Sequence, residues 1–391
     1  PEGAWADHHA LMYELYLGLS ECAYLRGDHA DAERLFEQLL QRVRADVERV
    51  NVYVRMVRYY AHLSRYEDGI GVGIKALALM GIDLAPAPNR PRVLLEVLKT
   101  RRAIGGRSVD ELSRIPETKD PMPLLTLEVL TAIGVIAFLV NPDLYATVAS
   151  TMVRLSVSHG NSRFSGLAYT AYGLLNSSLG DYAKADAFGK LGIEIERRYP
   201  DKHARATIHV MYGSMIHPWR NPARGGLRHE EEGRQSGLMS GNLMSAGLST
   251  RSTAILLFHT GPLLEATRQA CAEGVDFLRR LKNPLSEALL QMFLHAVLAL
   301  EGATRQEGSF DAEGFDERSF VAQVSARGAK RELHYYWLCK GVVLYLLERH
   351  DEALAIFDGA RREADRMLGT LPLVVDHHFY DALSLAAVEG R

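Results

Sequence analysis

The sequence has little of what staples a chain, holds a metal or builds a sheet. It has three cysteines in 391 residues, Cys22, Cys271 and Cys339. They are odd in number and far apart, which excludes both a disulfide framework and a metal site of closely spaced thiols. Such sparse thiols fit a reducing, cytoplasmic setting. Sustained period-2 alternation bounded by turn residues is also missing, so sheet is not the main architecture. Charge of one sign is not in excess: 45 Lys and Arg face 48 Asp and Glu, for a net charge of -3. No footprint for direct nucleic-acid binding follows from that balance. No secretory leader and no low-complexity tract are recognisable.

Long apolar runs are nearly absent as well. The exception is Met122 to Val140. A membrane-spanning helix needs about 20 apolar residues. Glu128 interrupts this run, Pro121 and Pro123 open it, and no Lys/Arg asymmetry flanks it. We read it as a buried helix, without membrane insertion. The chain opens at Pro1 without Met and stops at Arg391 inside a helical pattern, as expected for an excised piece of a longer protein.

What is present is helix. The chain is 47% hydrophobic and 24% charged, enough apolar material for a core, in a length that predicts either two domains or a repeat array. Amphipathic segments of period 3.6 fill most of it. Near the end, His334 to Leu347 and Asp351 to Met367 read as a helix pair. Trp337, Gly341 and Leu344 fall on the first helix, and Ala353, Phe357 and Ala360 on the second. This is the tetratricopeptide pattern, in which small residues let two helices approach and an aromatic fills the gap beside them. Tyr169, Gly173, Gly180-Asp181-Tyr182, Ala185 and Gly192 repeat the frame. So do Tyr16, Leu19, Gly27-Asp28, Ala32 and Phe36, and Ser64-Arg65-Tyr66 with Ala76. Gly261-Pro262 and Ala266 mark a more degenerate unit. Gly before Asp suits the turn, because Gly tolerates left-handed backbone and Asp caps the next helix.

The expected fold is therefore all-α, a right-handed α-α superhelix of tetratricopeptide-like repeats. Residues 1–85 form N-terminal repeats and 86–391 continue the same solenoid, with a break near 81–90, where prolines gather.

Motifs that carry chemistry are missing. There is no Gly-rich phosphate loop ending in Lys and Ser/Thr, no His-Glu-x-x-His and no nucleophile elbow. Gly69-Ile70-Gly71-Val72-Gly73 has no preceding strand, and small residues for helix packing explain it. Asp7-His8-His9 and Asp376-His377-His378 are poor chelates, since helical neighbours point about 100 degrees apart. Both read as solvated helix N-termini, and His159 before Gly160 reads as a helix end. Lys99, Arg101, Arg102 and Arg107 read as a solvated basic cluster, and Trp219 as a plug between repeats. No catalytic residue, metal or cofactor is expected. The surface left for function is the concave one, lined by the first helix of each repeat. By register its candidate partner or ligand residues are Tyr24, Arg58, Arg251, Phe258, Tyr335 and Tyr345. The final helix, around Phe379-Tyr380-Asp381-Ala382-Leu383, should show an apolar outer face.

Several local motifs, taken in order, resemble a known family. They are Trp5-Ala6-Asp7-His8-His9, Ala23-Tyr24-Leu25-Arg26-Gly27-Asp28, Met80-Gly81-Ile82-Asp83-Leu84-Ala85-Pro86, His217-Pro218-Trp219 and His378-Phe379-Tyr380-Asp381-Ala382-Leu383. The sequence resembles the helical-repeat region of large bacterial signalling ATPases fused to Ser/Thr kinase or sensor histidine kinase domains. The resemblance implies a non-catalytic scaffold or sensor segment. It would bind a protein partner or inducer and couple an ATPase to an output domain, with the neighbouring domains of the parent chain as partners. An effector-binding domain like that of maltose-regulator-type transcription activators is the alternative, and an α-toroid enzyme the third.

Overall fold

The computed structural model describes residues 2–261, 263–369 and 371–390. The chain divides into two compact units, Pro1–Tyr172 and Gly173–Arg391. No β-strand occurs among the described residues, only isolated bridges, Glu117 with Asn161 and Ala312 with Phe315. The all-α, tetratricopeptide-like architecture expected from the sequence is the one observed.

In the first unit, α1 (Glu2–Asp7) leads into the hairpins α2 (His9–Arg26) with α3 (His29–Arg42) and α4 (Asp46–His62) with α5 (Tyr66–Leu79). The first turn forms as its residues dictate. Gly27 takes φ 84°, and the Asp28 side chain accepts from the Asp31 N–H. Behind it Ala32 and Phe36 are buried in a cluster with Tyr13, Leu17 and Tyr59. Then follow α6 (Arg90–Ile104), the short α7 (Val109–Ser113), α8 (Pro121–Val140), α9 (Pro142–His159) and α10 (Ser165–Ser178). Glycines 69 and 73 sit one turn apart on α5, where added side chains would strike Ile136 and Ile133 of α8. Close packing thus explains two of the three glycines in the run; a side chain at Gly71 would meet nothing within 4 Å. Helix α8 is long and apolar enough to span a membrane by length and composition. Leu127, Leu130, Ile133 and Ile136 are nonetheless buried, and the helix packs on α4, α5 and α9.

The break expected near 81–90 is not a boundary. Leu84 is buried, Arg92 pairs with Asp83 at 2.7 Å, and Asn141 donates to the Pro86 carbonyl. These contacts pin the proline-rich connection to its own unit. The division falls instead within α10, between Tyr172 and Gly173.

The second unit continues with α11 (Tyr182–Arg198) and α12 (Lys202–Met211). A π-helical turn over Tyr212–Ile216 and short 3₁₀ turns lead to α13 (Leu227–Ser240) and α14 (Leu243–Thr260). Trp219 stacks on Tyr182 at 5.1 Å, as expected of a plug. Next come α15 (Leu264–Arg280), α16 (Pro284–Leu300), α17 (Glu317–Ala326) and α18 (Lys330–Leu346). The chain ends in α19 (His350–Ala360), α20 (Ala364–Leu368) and α21 (Leu373–Glu389). The helix expected over Asp351 to Met367 is therefore broken after Ala360, where Arg361 grips Asp381 of α21 through two 2.7 Å bonds. Pro262, part of the degenerate repeat mark, lies outside the described residues, as do Pro1 and Arg391. The register of that repeat differs from expectation: Ala266 is exposed, whereas Thr267 and Cys271 are buried.

Gly173 and Gly341 both lie at close helix contacts. A side chain at Gly173 would stand 2.9 Å from the Ala185 carbonyl, and one at Gly341 would run into the Phe357 ring. Gly341→Leu should therefore cost about 1 to 3 kcal/mol by overpacking. Thermal unfolding measures this, and an unchanged Tm would show that the assigned repeat register is wrong.

Candidate functional site

The candidate groove residues separate. Tyr24 is half-buried on α2 beside Tyr59 and His62, with ring centres 5.9 and 6.1 Å away. Arg58 of α4 is exposed and pairs with Glu128 of α8 at 3.0 Å. In the second unit, Arg251 and Phe258 lie on α14, and Tyr335 and Tyr345 on α18.

Tyr335 corrects the expectation of an open concave face. It is 1% exposed, with its ring edge-on to Phe293, which in turn packs edge-on to Phe258. The reason is helix packing. α14 meets α16, α16 meets α18, α18 meets α21, and α21 returns to α14. Faces that would line an open groove are covered by one another, and a fully buried phenol is no anchor for a partner.

What remains is a cavity of about 140 Å³ at the C-terminal end of α14. Phe258, Leu300, Val342 and Leu346 form apolar wall, and Tyr380 of α21 adds a phenol. Tyr345 stands behind Tyr380, ring centres 5.5 Å apart. The polar wall is an ion pair. His259 Nδ1 lies 2.8 Å from each oxygen of Asp376. The side chains are 22% and 17% exposed, so the pair is largely withdrawn from water. Asp376 bonded to it raises the His259 imidazole above its ordinary value, against a smaller opposing pull from burial. Both partners sit at helix ends of suitable polarity, His259 in the last turn of α14 and Asp376 in the first turn of α21.

Sequence reasoning found Phe258 and Tyr345 but missed His259, Asp376 and Tyr380 as a group. Asp376 does lie in the first turn of its helix, yet the motif around it is not a solvated terminus. His377 is 1% exposed and edge-on to Phe357. At the other end of the chain, His9 bonds Glu48 of α4 at 3.1 Å. His159 does end α9, followed by Gly160 at φ 118°. The outer face of α21 carries exposed Val375, Phe379 and Leu385, as expected.

Fold and site together define an all-helical repeat protein with a small, mostly apolar cavity that has an ion pair in its wall. No family model matches the chain. It is similar to the hybrid signal transduction histidine kinase G of Dictyostelium discoideum, with 21% identity over 234 residues. The match takes in 54% of this chain and 7% of that protein. A solved structure of a Signal Transduction ATPase with Numerous Domains protein with a tetratricopeptide repeat sensor, from Pyrococcus horikoshii, superposes with a TM-score of 0.47 at 15% identity. It covers 88% of this chain and 50% of that one.

Proposed function

We propose that this chain is a helical-repeat sensor and scaffold segment of a multidomain, cytoplasmic signal-transduction ATPase. It is non-catalytic, and it couples a nucleotide-hydrolysing domain to an output domain through a bound partner or inducer. The observation that carries this reading is the extent of the sequence match: 234 residues align with 7% of a hybrid histidine kinase, so the matched stretch is a small part of a far longer signalling chain. The packing supports it too. Repeat helices meeting through glycine contacts change arrangement as units, which suits the transmission of a state between domains.

The intact signalling protein provides the test. Gly173→Leu should alter the dependence of its output on nucleotide while leaving the nucleotide domain's own turnover in place. Unaltered output would overturn the scaffold role. The isolated chain should not hydrolyse ATP, because backbone cradling plus a lysine is what phosphoryl transfer requires, and its glycine run is helical packing. Turnover lost on Lys75→Ala would overturn that assignment.

A further inference from the structure

We infer that the cavity between α14, α15, α16, α18 and α21 binds a small primary amine with one aromatic ring or a branched alkyl body, its ammonium seated on Asp376. Size sets the first constraint. About 140 Å³ holds one ring, as an engineered apolar cavity of roughly 150 Å³ holds benzene, and is too small for a helix or an extended peptide. Chemistry sets the second. Phe258, Val342 and Leu346 offer apolar wall, and Tyr380 adds a second aromatic ring to it; aromatic rings attract cations. The charged groups lining the cavity are Asp376 and His259, and no Lys or Arg is among the described residues that do. Within the pair each charge is matched by the other, so what separates the ligand classes is the capacity left over. A cationic ligand finds a carboxylate that has about four acceptor positions and is engaged there by a single ring N–H.

The histidine is thus a resident cation in the place the ligand's ammonium would take. Binding moves Asp376 from His259 to the amine, and the contact it disturbs is one that joins α14 to α21. That deepens the sensor reading and rests on it for its biological meaning, because ligand entry would then bear on a contact between α14 and the last helix of this unit.

Calorimetric titration of the chain with benzylamine, benzyl alcohol and benzoate tests the inference. Benzylamine should bind with a dissociation constant between about 10 µM and 1 mM, as expected for a ligand of this size. Benzyl alcohol and benzoate should be weaker by about tenfold or more. Asp376→Asn should abolish the preference for the amine, and Leu346→Trp, at the exposed rim, should block entry. His259→Gln should tighten benzylamine binding, since it frees the carboxylate from its competitor. A purely structural role for the pair would give loss in that variant instead. Should Asp376→Asn fail to fold, the His259→Gln and Leu346→Trp results decide. Equal affinity for all three ligands, a folded Asp376→Asn that still prefers the amine, or no heat with benzylamine overturns the site. If benzylamine binds but the intact protein's output ignores it, the site stands and the sensor reading fails.

Discussion

Lowering the pH from about 7 to about 4.5 should destabilise the unit from Gly173 onward steeply. Four of its histidines are held neutral by burial. His209, His295 and His377 are each pushed down to about 4, and His229 to about 3. Each is at most 7% exposed. In the unfolded chain the same rings titrate near 6.5. Between that value and about 4 the unfolded state therefore binds more protons than the folded one, and stability falls as pH falls. The geometry explains why the folded state resists. His209 and His229 face each other Nδ1 to Nδ1 at 3.1 Å, so one ring must accept what the other donates, and protonating both sets N–H against N–H. His295 stacks on Phe315 at 3.9 Å. Two groups oppose the trend: His259, raised by Asp376, and Glu230, raised by burial. His217, also lowered by burial, and carboxylates that sit below their ordinary value, Asp186 and Asp381 among them, add to the loss, so the balance runs toward lower stability at lower pH. Urea midpoints measured across this range check it. A flat profile between about pH 7 and pH 4.5 would mean the rings are not buried as described.

The turns and the close contacts were legible in the sequence because they are local. Gly27-Asp28 and Gly180-Asp181 each give a left-handed glycine, at φ 84° and 80°, followed by an aspartate that caps the next helix. Gly341 under Phe357 and the spaced glycines 69 and 73 are likewise properties of one or two helices. The degenerate repeat was misplaced by one residue because alanine suits either face of a helix. Ala266 fits the pattern, yet Thr267 and Cys271 are buried. The cavity was not legible at all. His259 and Asp376 are 117 residues apart, and nothing near either position announces the other. Which helix faces cover one another depends on how repeats stack across the whole unit. Tyr335 looked available for the same reason: its helix and register were read correctly, but not the helices that close over it.

Glu230→Gln should stabilise the protein at neutral and higher pH and do little near pH 4.5. Glu230 lies on α13 with 0% of its surface exposed, and neither carboxylate oxygen has a hydrogen-bond partner. Ser214 and Ser249 stand beside it, but Ser214 donates to the Val210 carbonyl at 2.8 Å. Burial holds the Glu230 carboxyl well above the usual carboxylate range, and the Ser249 and Ser214 hydroxyls and then Arg251 only partly offset this. Ionising a carboxyl this deeply buried, with only two hydroxyls beside it, is costly. Below about 4.5 the group is neutral in both states and carries no penalty. As pH rises through the window above that value, the unfolded chain ionises first and stability drains away, by up to about 1.4 kcal/mol per pH unit. Glutamine keeps the shape and never ionises. The difference between variant and wild type should therefore grow with pH. The histidines titrate alike in both proteins, so their contribution cancels in that difference. The test is the gap in urea midpoint measured at about pH 5 and again at about pH 8. A constant gap would show that Glu230 is ionised and solvated in the folded protein, and that the interior around the π-helical turn Tyr212–Ile216 is wet rather than packed.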